Sequence, residues 1–372
     1  MKKISVLFTI PNFDTAGSGK ALLNLALGLN QNRFEAHILC LNEKGDYFQI
    51  VKDSGIQVHV FNYIPKERPI FQMVKNCWKV AVKLKEIDPD VIHSFNYSSN
   101  YTEALASKMA GIPWVFTKKN MSWGGSSKNS WYLRSFLATK IAIQNTTMQK
   151  EFYPNSTKIK LIPRGVLFQK FKSENPLQEI RVKMNTTSDT RIIICVANLV
   201  PVKGIEVVIA AFEGLAYDFP NWEVWIVGDD KNEYATYLKN TVNEKCLQKQ
   251  IKFTGKQINV KPFLDHAEIF ILPTLNKGEG SPVALLEAMA NGKVVLGSNV
   301  AGIIDQLADF KEFVFESGNC YELSTKLNNL MVLSPEQLTE IGKKFSQFVQ
   351  KNYDISIEIQ RHEELYLSLF KD

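Results

Sequence analysis

Short runs of β-branched and apolar residues alternate with helix-patterned segments along most of the chain, and this alternation constrains the fold more than any other feature. Strands separated by helices predict parallel sheets covered on both faces, so the chain is expected to be an α/β protein. The predicted strands cover residues 4–10, 36–41, 58–61, 90–93, 114–117, 141–143, 192–196, 222–227, 251–254, 269–272 and 294–296.

The alternation is interrupted once, near the middle of the chain. Residues 168–189 contain Pro176 and the polar stretch 185–189 but no strand pattern, which is typical of a linker. We therefore expect two Rossmann-like domains, 1–168 and 190–350, joined by a linker at 169–189. Ligands of open parallel sheets bind beyond the carboxyl ends of the strands, so the two sheets are expected to face a cleft.

Composition excludes several classes of protein. With 45% hydrophobic and 22% charged residues the chain is neither disordered nor collagen-like. No apolar run approaches the ~20 residues of a spanning helix, and the first residues lack a signal-peptide pattern, so we expect a cytoplasmic protein. The five cysteines form no C-x-x-C pair and the five histidines no i, i+4 pair, which predicts reduced thiols and no metal site.

Charge is distributed unevenly along the chain. Residues 1–172 contain 24 Lys and Arg against 11 Asp and Glu, whereas the remainder contains 20 against 27. A basic first half suits an anionic partner such as the inner face of the cytoplasmic membrane, a lipid-linked acceptor or an acidic glycan, although a solvated lysine-rich surface also explains it. The aromatic and basic stretch 131–137 could also touch a membrane surface, or it could simply be part of the core. The lysines form no single stripe interleaved with aromatics, which argues against nucleic acid.

A glycine-rich segment, Gly17-Ser18-Gly19, follows the first predicted strand. A P-loop would need Gly at position 14 and Ser or Thr at 21, and a dinucleotide fingerprint would need Gly at 22, so neither an NTPase nor a dehydrogenase is supported. Glycines before a helix still allow the backbone to approach a phosphate closely. A plain tight turn is the alternative.

The segment 278–292 begins just beyond a predicted strand and reads as a loop followed by a helix. Ser281 is predicted to be the N-cap, Pro282 the first helical residue and Gly292 the residue that closes the helix. The first-turn amides could bind an anion beside Glu279. Glu287 lies in an apolar helix and needs hydrogen-bond donors, which a ribose diol or a lysine of the fold could supply.

Lys203 follows another strand and precedes an apolar helix. A lysine there could neutralise a diphosphate leaving group, although most turn lysines are simply solvated. His93 ends a predicted strand, where it could lie beside an acceptor or be a structural histidine.

Four motifs together resemble a known family. They are Asn198-Leu199-x3-Lys203-Gly204, Glu279-x7-Glu287, the strand end 226–229 and the turn 162–166. Over its whole length the chain resembles a retaining glycosyltransferase of the GT-B fold, family 4 (group 1) type. The resemblance implies a nucleoside-diphosphate sugar on the second domain, a glycan or lipid-linked acceptor on the first, and no metal or other cofactor. It also implies a last helix within 351–372 that packs back on the first domain.

The resemblance also implies residue roles. Lys203 would hold the diphosphate, Glu279 the sugar near the reacting carbon, and Glu287 the ribose. The family often has His where Lys119 stands, so Lys119 is a third catalytic candidate, and it usually has Arg where Asn198 stands. The other donor-binding candidates are Gly17, Ser18, Gly19, Asn198, Gly255, Lys256, Ile258, Gly280, Ser281, Pro282 and Val283. The acceptor candidates are His93, Asn96, Lys118 and Asn120. A nucleotide-sugar epimerase of the same fold and a non-catalytic nucleotide-sugar-binding protein are the alternatives.

Overall fold

The computed structural model describes residues 2–14, 16–45, 47–119, 121–122, 128–172, 177–276 and 279–370. The chain forms two compact units, Met1–Pro163 with Ser356–Asp372, and Arg164–Ile355. Each unit is built on one parallel sheet flanked by helices, which confirms the predicted pair of Rossmann-like α/β domains.

The first unit contains a seven-stranded sheet in the order β3-β2-β1-β4-β5-β6-β7. Its strands are β1 (Ile4–Thr9), β2 (Phe34–Cys40), β3 (Gln57–Val60), β4 (Val91–Ser94), β5 (Trp114–Lys118), β6 (Lys140–Ile143) and β7 (Ile159–Leu161). The sequence reading missed β7. This strand lies at the sheet edge with two of its three residues exposed, so it has no apolar run to mark it.

Helices cover both faces of this first sheet. They are α1 (Ala16–Gly28), α2 (Phe48–Asp53), α3 (Ile70–Ile87), α4 (Thr102–Ala110), α5 (Lys128–Leu137) and α6 (Thr146–Phe152). One core contains Leu22 and Leu25 of α1, and a separate core contains Cys77 and Leu84 of α3. The unit is therefore a three-layer structure with an apolar core on each side of the sheet.

The second unit contains a six-stranded sheet in the order β10-β9-β8-β11-β12-β13. Its strands are β8 (Arg191–Val196), β9 (Trp222–Val227), β10 (Ile251–Gly255), β11 (Ile269–Leu272), β12 (Val294–Ser298) and β13 (Val314–Phe315). Its helices are α7 (Phe168–Phe171), α8 (Gln178–Lys183), α9 (Ile205–Glu213), α10 (Glu233–Glu244), α11 (Lys261–His266), α12 (Val283–Ala290), α13 (Ile303–Gln306), α14 (Cys320–Met331) and α15 (Pro335–Asn352). The two-residue strand β13 was also missed, because it is too short to show a pattern.

The predicted linker at 169–189 is wrong. The described part of this range includes the end of α7 and all of α8, and it belongs to the second unit. Phe171 and Met184 are buried in the core of that unit. The polar composition hid this packing because only a few side chains of the segment point inward. The first unit correspondingly ends at Pro163 rather than residue 168.

The last helix, α16 (Ile355–Leu367), belongs to the first unit from Ser356 onward. Leu365 and Tyr366 are buried in the core that contains α1. A Cβ added to Gly28 of α1 would lie 2.2 Å from Cδ1 of Ile359, so the two helices approach closely at this point. The helix lies within the predicted range 351–372, and residues 351–352 complete α15.

In the described part of the chain, no helix is both long enough and apolar enough to cross a membrane. Among the same residues, no three His, Cys, Asp or Glu side chains are grouped in a way that could hold a metal ion.

Candidate active site

The candidate site of the second unit lies where its strand order reverses. Strands β9 and β10 extend the sheet to one side of β8, whereas β12 and β13 extend it to the other side of β11. All pairings are parallel, so the loops that follow β8 and β11 leave the same edge of the sheet side by side. Ligands of open α/β sheets bind at this switch point. Lys203 follows β8 and Glu279 follows β11.

Lys203 and Glu279 form an ion pair, although they are far apart in sequence. Lys203 Nζ donates to Glu279 Oε1, which also accepts a hydrogen bond from Thr274 Oγ1 at 2.7 Å. The two charged side chains are 20% and 15% exposed. The pair is thus held by the protein but is still open to a ligand. The structure thus brings together two of the candidate site residues, Lys203 and Glu279.

Backbone contacts hold the two loops together. Leu275 N donates to Val202 O at 2.8 Å, and Glu279 N donates to Ala301 O at 2.9 Å. Gly302 has φ +80°, and a Cβ there would lie 2.7 Å from the carbonyl oxygens of Glu279 and Gly280. A side chain at position 302 would therefore displace the segment that carries Glu279. The site is built on three loops that support one another.

Helix α12 begins directly after this segment. Pro282 is its N-cap and Val283 its first residue, so the predicted capping by Ser281 is wrong. Ser281 Oγ instead accepts hydrogen bonds from Arg164 N at 3.1 Å and Gln306 Nε2 at 3.0 Å. Gly292 has φ +73° and closes the helix as predicted. The amides of the first helical turn therefore start one residue later than expected, still next to Gly280.

Glu287 lies in the middle of α12 and is 8% exposed. Its sequence neighbours Leu285, Leu286, Ala288 and Met289 are fully buried in the core of the unit. The helix is thus apolar on most of its surface, as its sequence predicted. Glu287 is therefore a buried charged residue in an otherwise apolar helix.

The remaining donor candidates of the second unit follow β8 and β10 along the same sheet edge. Asn198, Lys256 and Ile258 are exposed. Gly255 has φ +74°, and its carbonyl accepts a hydrogen bond from Gly228 N at 3.2 Å. These residues extend the candidate site along the edge, outward from the ion pair.

The first unit has a second switch point, between β1 and β4. Helix α1 begins at Ala16, so Gly17, Ser18 and Gly19 form its first turn rather than a loop before it. Lys119, which follows β5, donates from Nζ to Ser18 Oγ at 3.2 Å and to Phe95 O at 2.5 Å. Two predicted site residues, Ser18 and Lys119, therefore meet in the first unit.

His93 is a structural residue, which corrects its predicted acceptor role. The ring is fully buried, with Nδ1 2.6 Å from the Tyr366 hydroxyl and Nε2 2.9 Å from Thr117 Oγ1. Burial, and then the charges of His362 and Lys119, hold the pKa of His93 well below its usual value. A neutral, enclosed ring cannot contact an acceptor.

Lys118 and Asn96 are also buried, so their predicted contact with an acceptor is not supported. Lys118 Nζ donates to Ser122 O at 2.6 Å and lies 4.4 Å from the ring centre of Phe152. Burial lowers the pKa of Lys118 to about 7. Asn96 donates from Nδ2 to Ser98 Oγ at 3.1 Å. The fourth acceptor candidate, Asn120, lies outside the described residues.

Sequence reasoning missed a buried polar cluster beside the switch point of the first unit. Glu103 accepts hydrogen bonds from Thr9 Oγ1 and, at 2.8 Å, from Ser94 Oγ. Arg134 donates to the carbonyl oxygens of Asn96 at 3.1 Å and Asn100 at 2.6 Å. The cluster thereby shapes the loop that follows β4. The signal that could have revealed this cluster is Arg134, an arginine inside the aromatic stretch 131–137. Sequence reasoning also missed Thr274, the partner of Glu279 in the second unit. Its position directly beyond the apolar strand β11 was the available signal.

The chain matches two family models. The model described as Glycosyl transferases group 1 matches residues 177–346, and that of Glycosyltransferase Family 4 matches residues 15–168.

Two curated relatives are similar over nearly the full chain. One is the N,N'-diacetylbacillosaminyl-diphospho-undecaprenol alpha-1,3-N-acetylgalactosaminyltransferase of Campylobacter jejuni, which is 26% identical over 88% of this chain and 90% of its own length. The other is the UDP-Gal:alpha-D-GlcNAc-diphosphoundecaprenol alpha-1,3-galactosyltransferase of Escherichia coli, which is 23% identical over 94% of this chain and 95% of its own length. Among solved structures, Anabaena Alr3699/HepE in complex with UDP and glucose superposes with a TM-score of 0.82 at 19% identity, over 98% of this chain and 99% of that one.

Proposed function

We propose that this chain, which belongs to the family 4 (group 1) glycosyltransferases, transfers a sugar from a nucleoside-diphosphate sugar to a cell-envelope glycan or glycolipid, with retention at the anomeric carbon. The observation that carries the proposal is the Lys203–Glu279 pair at the switch point of the second unit, next to the start of α12. A cation, a carboxylate and the first-turn amides of α12 lie close together there.

The second unit is proposed to bind the donor. Lys203 Nζ and the first-turn amides of α12 offer positive charge to a diphosphate, and Glu279 offers an acceptor to sugar hydroxyls. Glu287 would accept hydrogen bonds from the ribose diol, and residues 255–258 would border the base. The Anabaena protein was crystallised in complex with UDP, which supports a nucleoside diphosphate as the ligand class.

The chemical step is proposed to depend on stabilisation of the leaving group. As the bond between the sugar and the diphosphate breaks, negative charge grows on the departing oxygen, and a preorganised ammonium group lowers the energy of that charge. Lys203 is preorganised because Glu279 and the joined loops fix its position. We propose that this arrangement removes the need for a divalent cation.

The acceptor is proposed to be a sugar linked to a polyprenyl diphosphate. The names of both curated relatives specify such an acceptor. The basic first half of the chain suits a diphosphate-bearing substrate. Lys119, which is held by Ser18 and Phe95 at the switch point of the first unit, is the side chain that we expect to act on this side of the reaction.

A direct test incubates the protein with UDP-, GDP- and ADP-sugars and a synthetic polyprenyl-diphosphate-linked sugar, with and without EDTA. We expect one donor to yield a lengthened glycolipid whose new bond keeps the donor's anomeric configuration by NMR, and EDTA to leave the rate unchanged. Inversion would contradict the retaining mechanism, and loss of activity in EDTA would contradict metal independence. Epimerised donor without transfer would indicate an epimerase, and binding without turnover a binding protein.

A further inference from the structure

Helix α3 of the first unit leaves an apolar ridge uncovered. Phe71 is 84% exposed and Trp78 is 63% exposed, both unusual for aromatic side chains. Four residues of this ridge are spaced four apart along the helix: Ile70, Val74, Trp78 and Val82. Phe71, next to Ile70, completes the ridge. Contiguous exposed apolar surface of this kind is characteristic of an interaction site.

A second, basic ridge runs directly beside the apolar one. Lys75, Lys79 and Lys83 each follow a residue of the apolar ridge by one position and are themselves spaced by four. On a helix, residues four apart lie on one line, so the two ridges are parallel neighbours. Glu86 is the one acidic residue of α3.

The basic ridge borders a groove of 570 Å³. Among the described residues, four cationic side chains line it, Lys66, Arg68, Lys79 and Lys83, and no acidic side chain does. A groove with this charge favours anions such as phosphate groups.

The opposite face of α3 is fixed against the sheet. Four of its side chains belong to the apolar core on that side of the sheet: Met73, Cys77, Val80 and Leu84. Ala81 is buried as well. The helix therefore cannot turn its apolar ridge inward without losing this packing. The ridge is a stable feature of the surface.

We propose that this face of α3 docks onto a bilayer that contains anionic phospholipids. The apolar ridge would enter the boundary between headgroups and acyl chains, and the lysine ridge and groove would meet the lipid phosphates. A helix in the plane of a membrane combines these two features, a hydrophobic line and a lysine-rich line.

A second copy of the chain suits the surface less well. In a symmetric dimer the same patch faces itself, so the lysine ridges of two copies would be brought together and would repel each other. An anionic bilayer instead offers opposite charge to every lysine. The inference concerns the surface and not the reaction, so its test requires no turnover.

The test is sedimentation of the full chain with vesicles of phosphatidylcholine, with and without phosphatidylglycerol. We expect binding to the anionic vesicles that weakens as salt rises from about 0.05 to about 0.5 M, because screening reduces the charge term. Among the described tryptophans Trp78 alone is exposed, so its fluorescence should shift to shorter wavelength on binding. No binding to anionic vesicles at low salt would overturn the proposal.

Two variants separate the two ridges. Phe71→Ser with Trp78→Ser should weaken vesicle binding by roughly tenfold or more, through loss of apolar burial. Lys75→Gln, Lys79→Gln and Lys83→Gln together should weaken it on the order of 100-fold at low salt, at roughly a factor of five per lysine. Trp78→Phe should keep the binding and lose the fluorescence shift.

Matched controls come from the second unit. Tyr217→Ser with Tyr321→Ser removes two exposed aromatic rings, and Lys343→Gln, Lys344→Gln and Lys351→Gln removes three exposed lysines. Both controls should bind vesicles as the unchanged chain does. Equal losses in the controls and in the α3 variants would overturn the assignment to α3. Analytical ultracentrifugation tests the alternative of a dimer. If the unchanged chain were a dimer and the double variant Phe71→Ser/Trp78→Ser a monomer, the ridge would be a protein interface and the proposal would be overturned.

Discussion

Lys203 illustrates how an ion-pair partner fixes the position of one side chain. Its Nζ donates to Glu279, which is also bound by Thr274. Lys203→Ala should lower the rate of transfer by about 10² to 10³, the usual cost of losing one preorganised charge stabiliser. Steady-state kinetics with the preferred donor measure the effect. Lys245→Ala is the control, since Lys245 is also ion-paired, with Glu213 at 2.6 Å, but lies on the surface after α10. Equal rates for Lys203→Ala and the unchanged protein would remove Lys203 from the mechanism.

The burial of Lys118 leads to a second prediction, which concerns how the stability of the protein depends on pH. Burial lowers its pKa from 10.5 to about 7, so between these pH values the unfolded chain binds the extra proton and stability rises with pH. From pH 7 to pH 9, the free energy of unfolding of the unchanged protein should rise by up to about 1.4 kcal/mol per pH unit relative to that of Lys118→Met. Urea unfolding over this range measures the difference.

The control for Lys118 is Lys79→Met, which removes an exposed lysine of the same unit. Its stability relative to the unchanged protein should not follow the same trend. A pH-independent difference between the unchanged protein and Lys118→Met would mean that Lys118 is not buried in solution.

At the scale of elements, α12 is held in place by close packing against α15. A Cβ added to Gly342 of α15 would overlap the carbonyl oxygen of Gly292, which closes α12. Gly342→Ala should therefore destabilise the second unit by about 1 to 3 kcal/mol or more, because the two helices must separate. Thermal unfolding monitored by circular dichroism measures the loss.

Gly214→Ala is the matched control for this contact. Gly214 has φ −68°, and a Cβ there would have no neighbour within 4 Å among the residues that the structure describes. Alanine at this position should be neutral or stabilise by about 0.4 to 1 kcal/mol, since it restricts the unfolded chain. If both alanine variants were equally stable, the close approach of α15 to α12 would be contradicted.

At the scale of the whole molecule, the chain leaves its first unit at Pro163 and returns to it at Ser356. The returning helix α16 supplies Tyr366, which packs against Phe8 and Phe34 and holds His93. A chain that ends at residue 355 should therefore lose the cooperative unfolding of the first unit, while the second unit keeps its own. Calorimetry, with mass spectrometry of protease-resistant fragments, distinguishes the two units.

Tyr366→Phe is the graded comparison for this truncation. It keeps α16 and its packing and removes only the hydroxyl that meets His93, so the first unit should lose about 1 to 3 kcal/mol. Full stability of the first unit without α16 would show that the returning helix is dispensable for its fold.

The sequence alone was sufficient for the architecture and for the two loops that carry Lys203 and Glu279. Alternating apolar runs identify strands because a buried parallel strand must be apolar on both faces, and this property needs no partner to be visible. The motifs around Lys203 and Glu279 likewise identified two loops that the parallel sheet was expected to bring to one edge. Short edge strands such as β7 and β13 escaped because they bury too little surface to leave a pattern.

The tertiary structure decided which polar side chains are enclosed. His93 lies next to the end of β4 and Lys118 ends β5, positions where ligand-binding residues often occur, but α16 and the aromatic rings around Lys118 bury them. The predicted linker likewise became part of a core through Phe171 and Met184. Burial is the sum of contacts between segments far apart in the chain, so no local pattern specifies it. The ridge of α3 is the converse case, since its sequence fits a core helix and only the packing of its other face shows that Phe71 and Trp78 remain exposed.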